Sequence, residues 1–283
     1  MPKHKRHRQF AFAAIFLFIL ACSMPASQFS VATLGPNALS TVVAGTAAAS
    51  GTRTAGANPM TNTPPATSTG TATPTETATR TPQTSAEGTS LGKQEGGTTI
   101  FTDYQGGYSV ASQPGWTAVR LNEQEFFDAW NQPAASDPKV QNFLNQIQHN
   151  DPKTYRLFGF NVLPDYLQDD YLTNFLISWD RNTNDSLETY METLKKEVPK
   201  TLLNPKITST SFGVTAAQIP IGVLEANSSV PLISGSTVQI FQRQIFFRAK
   251  TGMLFITFTT TVDRKDAMTP SFDWMTDQIR LLQ

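Results

Sequence analysis

The chain has one cysteine, Cys22, in 283 residues. That count excludes a disulfide framework and a thiolate zinc site. Histidine is almost as scarce: His4 and His7 sit in the first seven positions, so only His149 is left for the rest of the chain. A His/Cys metal centre or a histidine relay therefore has a single residue to draw on. Neither sign of charge is in excess, since 22 basic and 22 acidic residues give a formal net charge of zero. Four of the basic residues (Lys3, Lys5, Arg6, Arg8) lie in the first eight positions, and without them the balance is −4. A nucleic-acid binder needs a clustered basic surface, so no nucleic acid partner is expected. The part beyond residue 95 has no Gly-x-Ser-x-Gly, no Walker A and no dinucleotide-type Gly-x-Gly-x-x-Gly, the motifs that shape a serine elbow or a phosphate cradle.

Residues 1–22 read MPKHKRHRQFAFAAIFLFILAC, a basic start followed by an uncharged Phe-rich run from Phe10 to Ala21. As a helix this run would measure about 18 Å against a hydrocarbon core of about 30 Å. It is too short to span a bilayer and suits the h-region of a secretory signal. Its end, Ile19-Leu20-Ala21-Cys22, resembles the bacterial lipobox. The resemblance implies a signal peptide over 1–21, cleavage before Cys22, and palmitate-type acylation of its thiol. The chain would then be held at the outer, extracytoplasmic face of the cell membrane. The alternative is an ordinary signal peptide with an unrelated cysteine.

Residues 22–94 are expected to be a disordered tether. Over 23–92, 52 of 70 positions are Ser, Thr, Pro, Ala or Gly, and four are charged. Such a stretch buries too little apolar area to offset roughly 1–2 kcal/mol of backbone entropy per residue. As a flexible coil it would place its ends on the order of 45 Å apart. The Thr-Pro and Thr-Ala units between Thr61 and Thr84 are of the kind that carries O-linked sugar.

Residues 95–283 are expected to form one α+β domain, large enough for a single core. Glycines 106 and 107 predict a tight hairpin between strands Thr99–Tyr104 and Tyr108–Gln113, and Pro114-Gly115-Trp116 ends the second. Asn122 with Glu125 has capping-box spacing ahead of a first helix, and Asp137-Pro138 opens a second with Val140, Phe143, Leu144 and Ile147 on one stripe. Strands are predicted at Tyr155–Leu163 and Thr173–Asp180. Asp185 with Glu188 signals a helix through Leu194. Four strands follow, at Lys206–Val214, Ala217–Ala226, Thr237–Ala249 and Met253–Thr261. The last two carry large apolar residues on both pleat faces, so the sheet must be covered on both sides. A final helix is predicted to open near Thr269-Pro270 and to bury Phe272, Met275, Ile279 and Leu282. The architecture is a mainly antiparallel sheet sandwiched between helices.

The segments GYSVASQPGW (107–116), SLETYMETLKK (186–196), IFFRAKTGMLFITFTT (245–260) and FDWMTDQIRLL (272–282), in this order, resemble the PsbP-like, or Mog1/PsbP, domain. The resemblance covers nearly all of 99–283 and departs from the pattern at 122–150, which reads as an insertion. It implies a binding subunit, with no catalytic residue carried over.

The remaining candidates are few. Asp165, Asp169 and Asp170 crowd three carboxylates into one loop, a weak metal or basic-surface site. Asp180 to Asp185 starts like a calcium loop but has Asp185 where glycine is needed and Met191 where glutamate is needed. It is better read as the turn into a helix. His149 is placed to complement a helix end. Trp116, Trp130, Trp179 and Trp274 fall at core positions. No cofactor is expected. The reading is a non-catalytic docking module for an envelope protein or glycan. Its rivals are a small-ligand receptor and a carboxylate-dependent hydrolase.

Overall fold

The computed structural model describes residues 84–201, 203–232 and 235–282. The leader 1–21, Cys22 and the tether up to residue 83 lie outside the described residues. In chain order the strands are β1 (Thr89–Lys93), β2 (Thr99–Asp103), β3 (Tyr108–Ser112), β4 (Trp116–Val119), β5 (Tyr155–Asn161), β6 (Asn174–Asp180), β7 (Lys206–Val214), β8 (Pro220–Pro231), β9 (Thr237–Arg248), β10 (Met253–Thr261) and β11 (Arg280–Leu281). The helices are α1 (Gln124–Ala129), α2 (Pro138–Ile147), α3 (Pro164–Leu167), α4 (Leu187–Glu197) and α5 (Lys265–Asp277).

Two antiparallel sheets result, a small one ordered β1-β2-β3-β11 and a large one ordered β4-β5-β6-β10-β9-β8-β7. The hairpin at 104–107 forms as expected: the Asp103 carboxylate accepts from the N–H groups of Gln105 and Gly106, and Gly107 has φ +73°. The chain then leaves the small sheet at Pro114-Gly115, and Trp116 begins β4 instead of only ending β3.

The large sheet is apolar and covered on both faces. On one face Phe241, Ile245, Phe247 and Phe258 pack with Met268, Phe272 and Met275 of α5 and with Phe101 and Tyr108 of the small sheet. The other face carries two separate apolar layers. Tyr190, Met191 and Leu194 of α4 lie on Leu224, Phe246 and Phe255, while α1 and α2 place Phe126, Phe143 and Leu144 on Phe158, Phe160 and Leu176. The stretch 122–150 is therefore the cover of β4, β5 and β6. All four stripe residues predicted for α2 are buried, and Asp137 caps it by accepting from the Lys139 N–H.

Several expectations shift. The tether boundary at 94 falls inside the folded part, because β1 pairs along its whole length with β2. Its buried positions are Thr89 and Ser90, which composition counts as tether. Asn122 has φ +63° and does not cap α1; Glu123 holds that position with no side-chain bond. The partner expected to close the box, Glu125, is instead engaged by the guanidinium of buried Arg120. At α4 the cap is Ser186, whose hydroxyl accepts from the Thr189 N–H at 3.2 Å, one residue beyond Asp185. The last helix starts at Lys265, and Pro270 sits inside it. There proline forfeits only the bond to the carbonyl of Asp266, an exposed residue. Leu282 is 38% exposed.

Tyr155, at the start of β5, gives a test of this packing. Burial, reinforced by the Asp151 carboxylate, pushes its phenol up from 10.0 to about 12. The folded state thus holds the proton more tightly than the unfolded chain. The resulting stability is complete below pH 10 and is lost as pH rises from there through about 12. Denaturation midpoints should fall more steeply across this window in the parent than in Tyr155→Phe. Equal slopes would show that Tyr155 ionises as freely folded as unfolded.

Candidate functional site

The carboxylates singled out in the sequence do not assemble a metal centre. Asp169 is held by Arg264, with Nε at 3.1 and 3.0 Å and Nη2 at 2.9 Å from its oxygens. Asp165 contributes its backbone carbonyl to the same guanidinium, which also lies 5.4 Å from the Tyr166 ring centre. Asp165 lies in the short helix α3 where a loop was expected, and the cluster is a clamp fixing α3 and the turn after it to the start of α5, with Asp170 exposed beside it. Among the described residues no group of three His, Cys, Asp or Glu could hold a metal ion. At 180–185, Asp180 accepts from the Asn182 N–H and the Thr183 hydroxyl from the Asp185 N–H, the local turn expected before α4. The α2 terminus is completed by the Asn150 amide, which donates to the carbonyls of Gln146 and Ile147. His149 beside it is exposed. Trp116 and Trp179 are buried, and Trp130 and Trp274 pack at the rim of the core.

A charged pair that the sequence did not announce lies deeper. Arg156 of β5 meets Asp103 of β2, with Nε–Oδ2 at 2.6 Å and Nη2–Oδ1 at 3.1 Å, and both side chains are 0% exposed. The guanidinium also donates to the carbonyls of Pro152 and Glu87 and lies against the Trp179 ring. Tyr108 borders this pair. Burial first, then the Asp103 carboxylate, pushes its phenol well above its usual range, against the opposing pull of Arg156. Oδ1 of Asp103 accepts from the N–H groups of Gln105 and Gly106 and from Nη2 of Arg156, and Oδ2 accepts from Nε, so the carboxylate serves as a structural acceptor. The arrangement ties the small sheet to the large one.

A second unannounced feature runs down the middle of the large sheet. Gln242 and Gln244 of β9 stand opposite Thr259 and Thr257 of the central strand β10, all four nearly fully buried. They separate the α4 layer from the α1–α2 layer. Neutral amides and hydroxyls carry no acid–base chemistry at ordinary pH.

Among the described residues, the β7 edge of the large sheet has the character of a recognition element. β7 is the terminal strand and is exposed along most of its length. Phe212 and Val214 are 51% and 55% exposed. Opposite Phe212 stands Gly222, and the Phe246 ring covers that glycine so closely that an added Cβ would lie 2.1 Å from it. Phe212 thus ends an aromatic row, Phe246 and Phe255 beneath Tyr190, that runs from the core to the surface. The sequence identified β7 as a strand; its edge position follows only from strand order.

No family model and no curated protein matches the chain. Solved structures do. The solution structure of cyanobacterial PsbP (CyanoP) from Synechocystis is similar with TM-score 0.40 and 9% identity, covering 66% of this chain and 94% of that one. The Ran-binding protein Mog1p of Saccharomyces cerevisiae is similar with TM-score 0.37 and 10% identity, covering 67% and 97%. A protein of unknown function from Pseudomonas aeruginosa, described as a putative regulator, has TM-score 0.33 and 18% identity over 38% and 71%. At these identities the likeness is one of fold.

Proposed function

We propose that this chain is a lipid-anchored, extracytoplasmic docking module: Cys22 carries the lipid, the tether lifts the domain off the membrane, and the domain binds an envelope protein or glycan without performing chemistry. The β7 edge carries the docking half of this reading. Among the described residues it presents unpaired strand backbone beside two exposed apolar side chains, the arrangement by which extended partners add to a sheet. The leader and the lone cysteine support the anchoring half.

The test uses the full-length chain in its own cells. Cys22→Ser should move the protein from the membrane fraction to the soluble one, and it should abolish labelling by a palmitate analogue. A photo-crosslinking residue at Phe212 should yield one reproducible adduct at the membrane, which Val214→Lys weakens. Unchanged membrane retention of Cys22→Ser would sink the anchor. Turnover of a generic ester, phosphate or glycoside substrate, lost on a single carboxylate change, would replace docking with hydrolysis.

A further inference from the structure

An exposed strand edge is a hazard that proteins normally blunt with charge, proline or a strong bulge. β7 uses little of this protection. From Ile207 to Val214 it has no charged residue and no proline. Its single irregularity, between Ile207 and Ser209, leaves Ser209–Val214 as a straight run. Among the described residues, β8 is its sole strand partner.

Resting on the docking reading above, we propose that the occupant of this edge is a second copy of the same chain, β7 against β7, antiparallel, about a two-fold axis through Ser211. A two-fold perpendicular to the sheet keeps every side chain on its own face, so the same surface serves both copies. Ser209 then faces Gly213 of the second copy, and Thr210 faces its Phe212. No like charges meet along the run, a condition that cross-strand pairs require.

The ends of the strand favour a second copy over an unrelated peptide. In this register, with the bulge between Ile207 and Ser209 taken up as one rung, Lys206 of one copy arrives at Thr215 of the other, beside Ala216. The backbone N–H of Ala216 is held at 3.0 Å by the carboxylate of Asp277, which is exposed, as is Lys206. Both belong to the α5 side of the sheet: Lys206 pairs with Asn227, and Asn227 with Phe241, whose ring packs in the α5 core. Each copy's cation therefore reaches the other's anion, twice by symmetry. The exposed Phe212 lies on the opposite face, next to Gly222 and Phe246, so each ring is covered by Thr210 of the other copy.

The test is made on the full-length protein in native membranes. Ser211→Cys should give a disulfide-linked dimer on mild oxidation, because self-paired positions bring their Cα atoms within about 4.5–5.5 Å. The parent, with Cys22 alone, and Lys195→Cys on the exposed side of α4 should give none. Adding Lys206→Glu to Ser211→Cys should lower the dimer yield about tenfold, since two attractive pairs become repulsive. Adding Asp277→Lys as well should restore it, with thermal melts confirming that each variant folds. A Ser211→Cys yield no greater than that of Lys195→Cys, or a charge swap that fails to restore dimer, overturns the proposal. If Phe212 crosslinks to a different envelope protein while Ser211→Cys stays monomeric, the second copy is wrong and docking through β7 stands. If both are blank, both readings fall.

Discussion

Arg156→Ala should cost the domain about 3–5 kcal/mol, the loss typical of removing one partner from a buried ion pair. The pair Asp103–Arg156 is fully enclosed, so the deleted cation leaves a carboxylate in the low-dielectric interior with no opposite charge. Two backbone carbonyls, of Pro152 and Glu87, lose their donor in the same step. A total stability of about 5–15 kcal/mol would not absorb this comfortably. The contrast is Asp169→Ala. It breaks an equally well-formed fork to Arg264, but that guanidinium is 35% exposed, and pairs open to solvent contribute about 0–1 kcal/mol. Urea denaturation of both variants decides the matter. A loss at Arg156 no larger than at Asp169 would show that the buried pair is not what joins the sheets. Exchanging both partners, Asp103→Asn with Arg156→Met, should destabilise less than Arg156→Ala alone, because no uncompensated charge is then left buried.

The same arginine explains what the sequence left hidden at the front of the domain. Strand β1 reads TSLGK in a segment rich in Thr, Ser and Gly, and its buried side chains are hydroxyls. Its place is set by long-range bonds: Arg156 grips the carbonyl of Glu87, and Arg120 donates to that of Thr89 at 2.6 Å. Partners 69 and 31 residues away leave no periodicity to read. By contrast β6, β7, β9 and β10 were legible to within a residue or so, because β-branched and aromatic runs bounded by polar turns announce themselves locally. Apolar residues on both faces of β9 and β10 also announced two covers, and α5 and α4 supply them. The helix start at 122 failed for a physical reason: a capping pattern works only if its side chains are free, and Glu125 was taken by Arg120; at 185 the cap lies one residue on, at Ser186. The candidate site was half legible. β7 could be seen as a strand, but strand order decides whether a strand is central or at an edge.

Gly252→Ala is the second large effect expected, and it tests how the turn between β9 and β10 meets β6. Two penalties coincide there. Gly252 has φ +77°, where an L side chain is strained by about 1–3 kcal/mol. A Cβ at this position would also lie 2.1 Å from the carbonyl oxygen of Asp180 and 2.8 Å from the Cα of Arg181. Both are backbone atoms, which cannot swing aside as the end of a side chain can. The turn itself is pinned by the Trp179 indole, which donates to the Thr251 carbonyl at 2.7 Å. Trp179 is in turn contacted by Arg156 and by Arg181, whose guanidinium lies 4.2 Å from the ring centre. Relief of the clash must therefore push β6 and the turn apart, adding about 1–3 kcal/mol of overpacking. Gly96→Ala isolates the first penalty. Gly96 has φ +86° and nothing within 4 Å of an added Cβ, so only the backbone strain remains. Thermal melts should place Gly252→Ala below Gly96→Ala by about 1–3 kcal/mol, or roughly 2–12 °C for a domain of this size. Equal losses would mean that the close approach to Asp180 is easily relaxed, and that the turn is held by conformation alone.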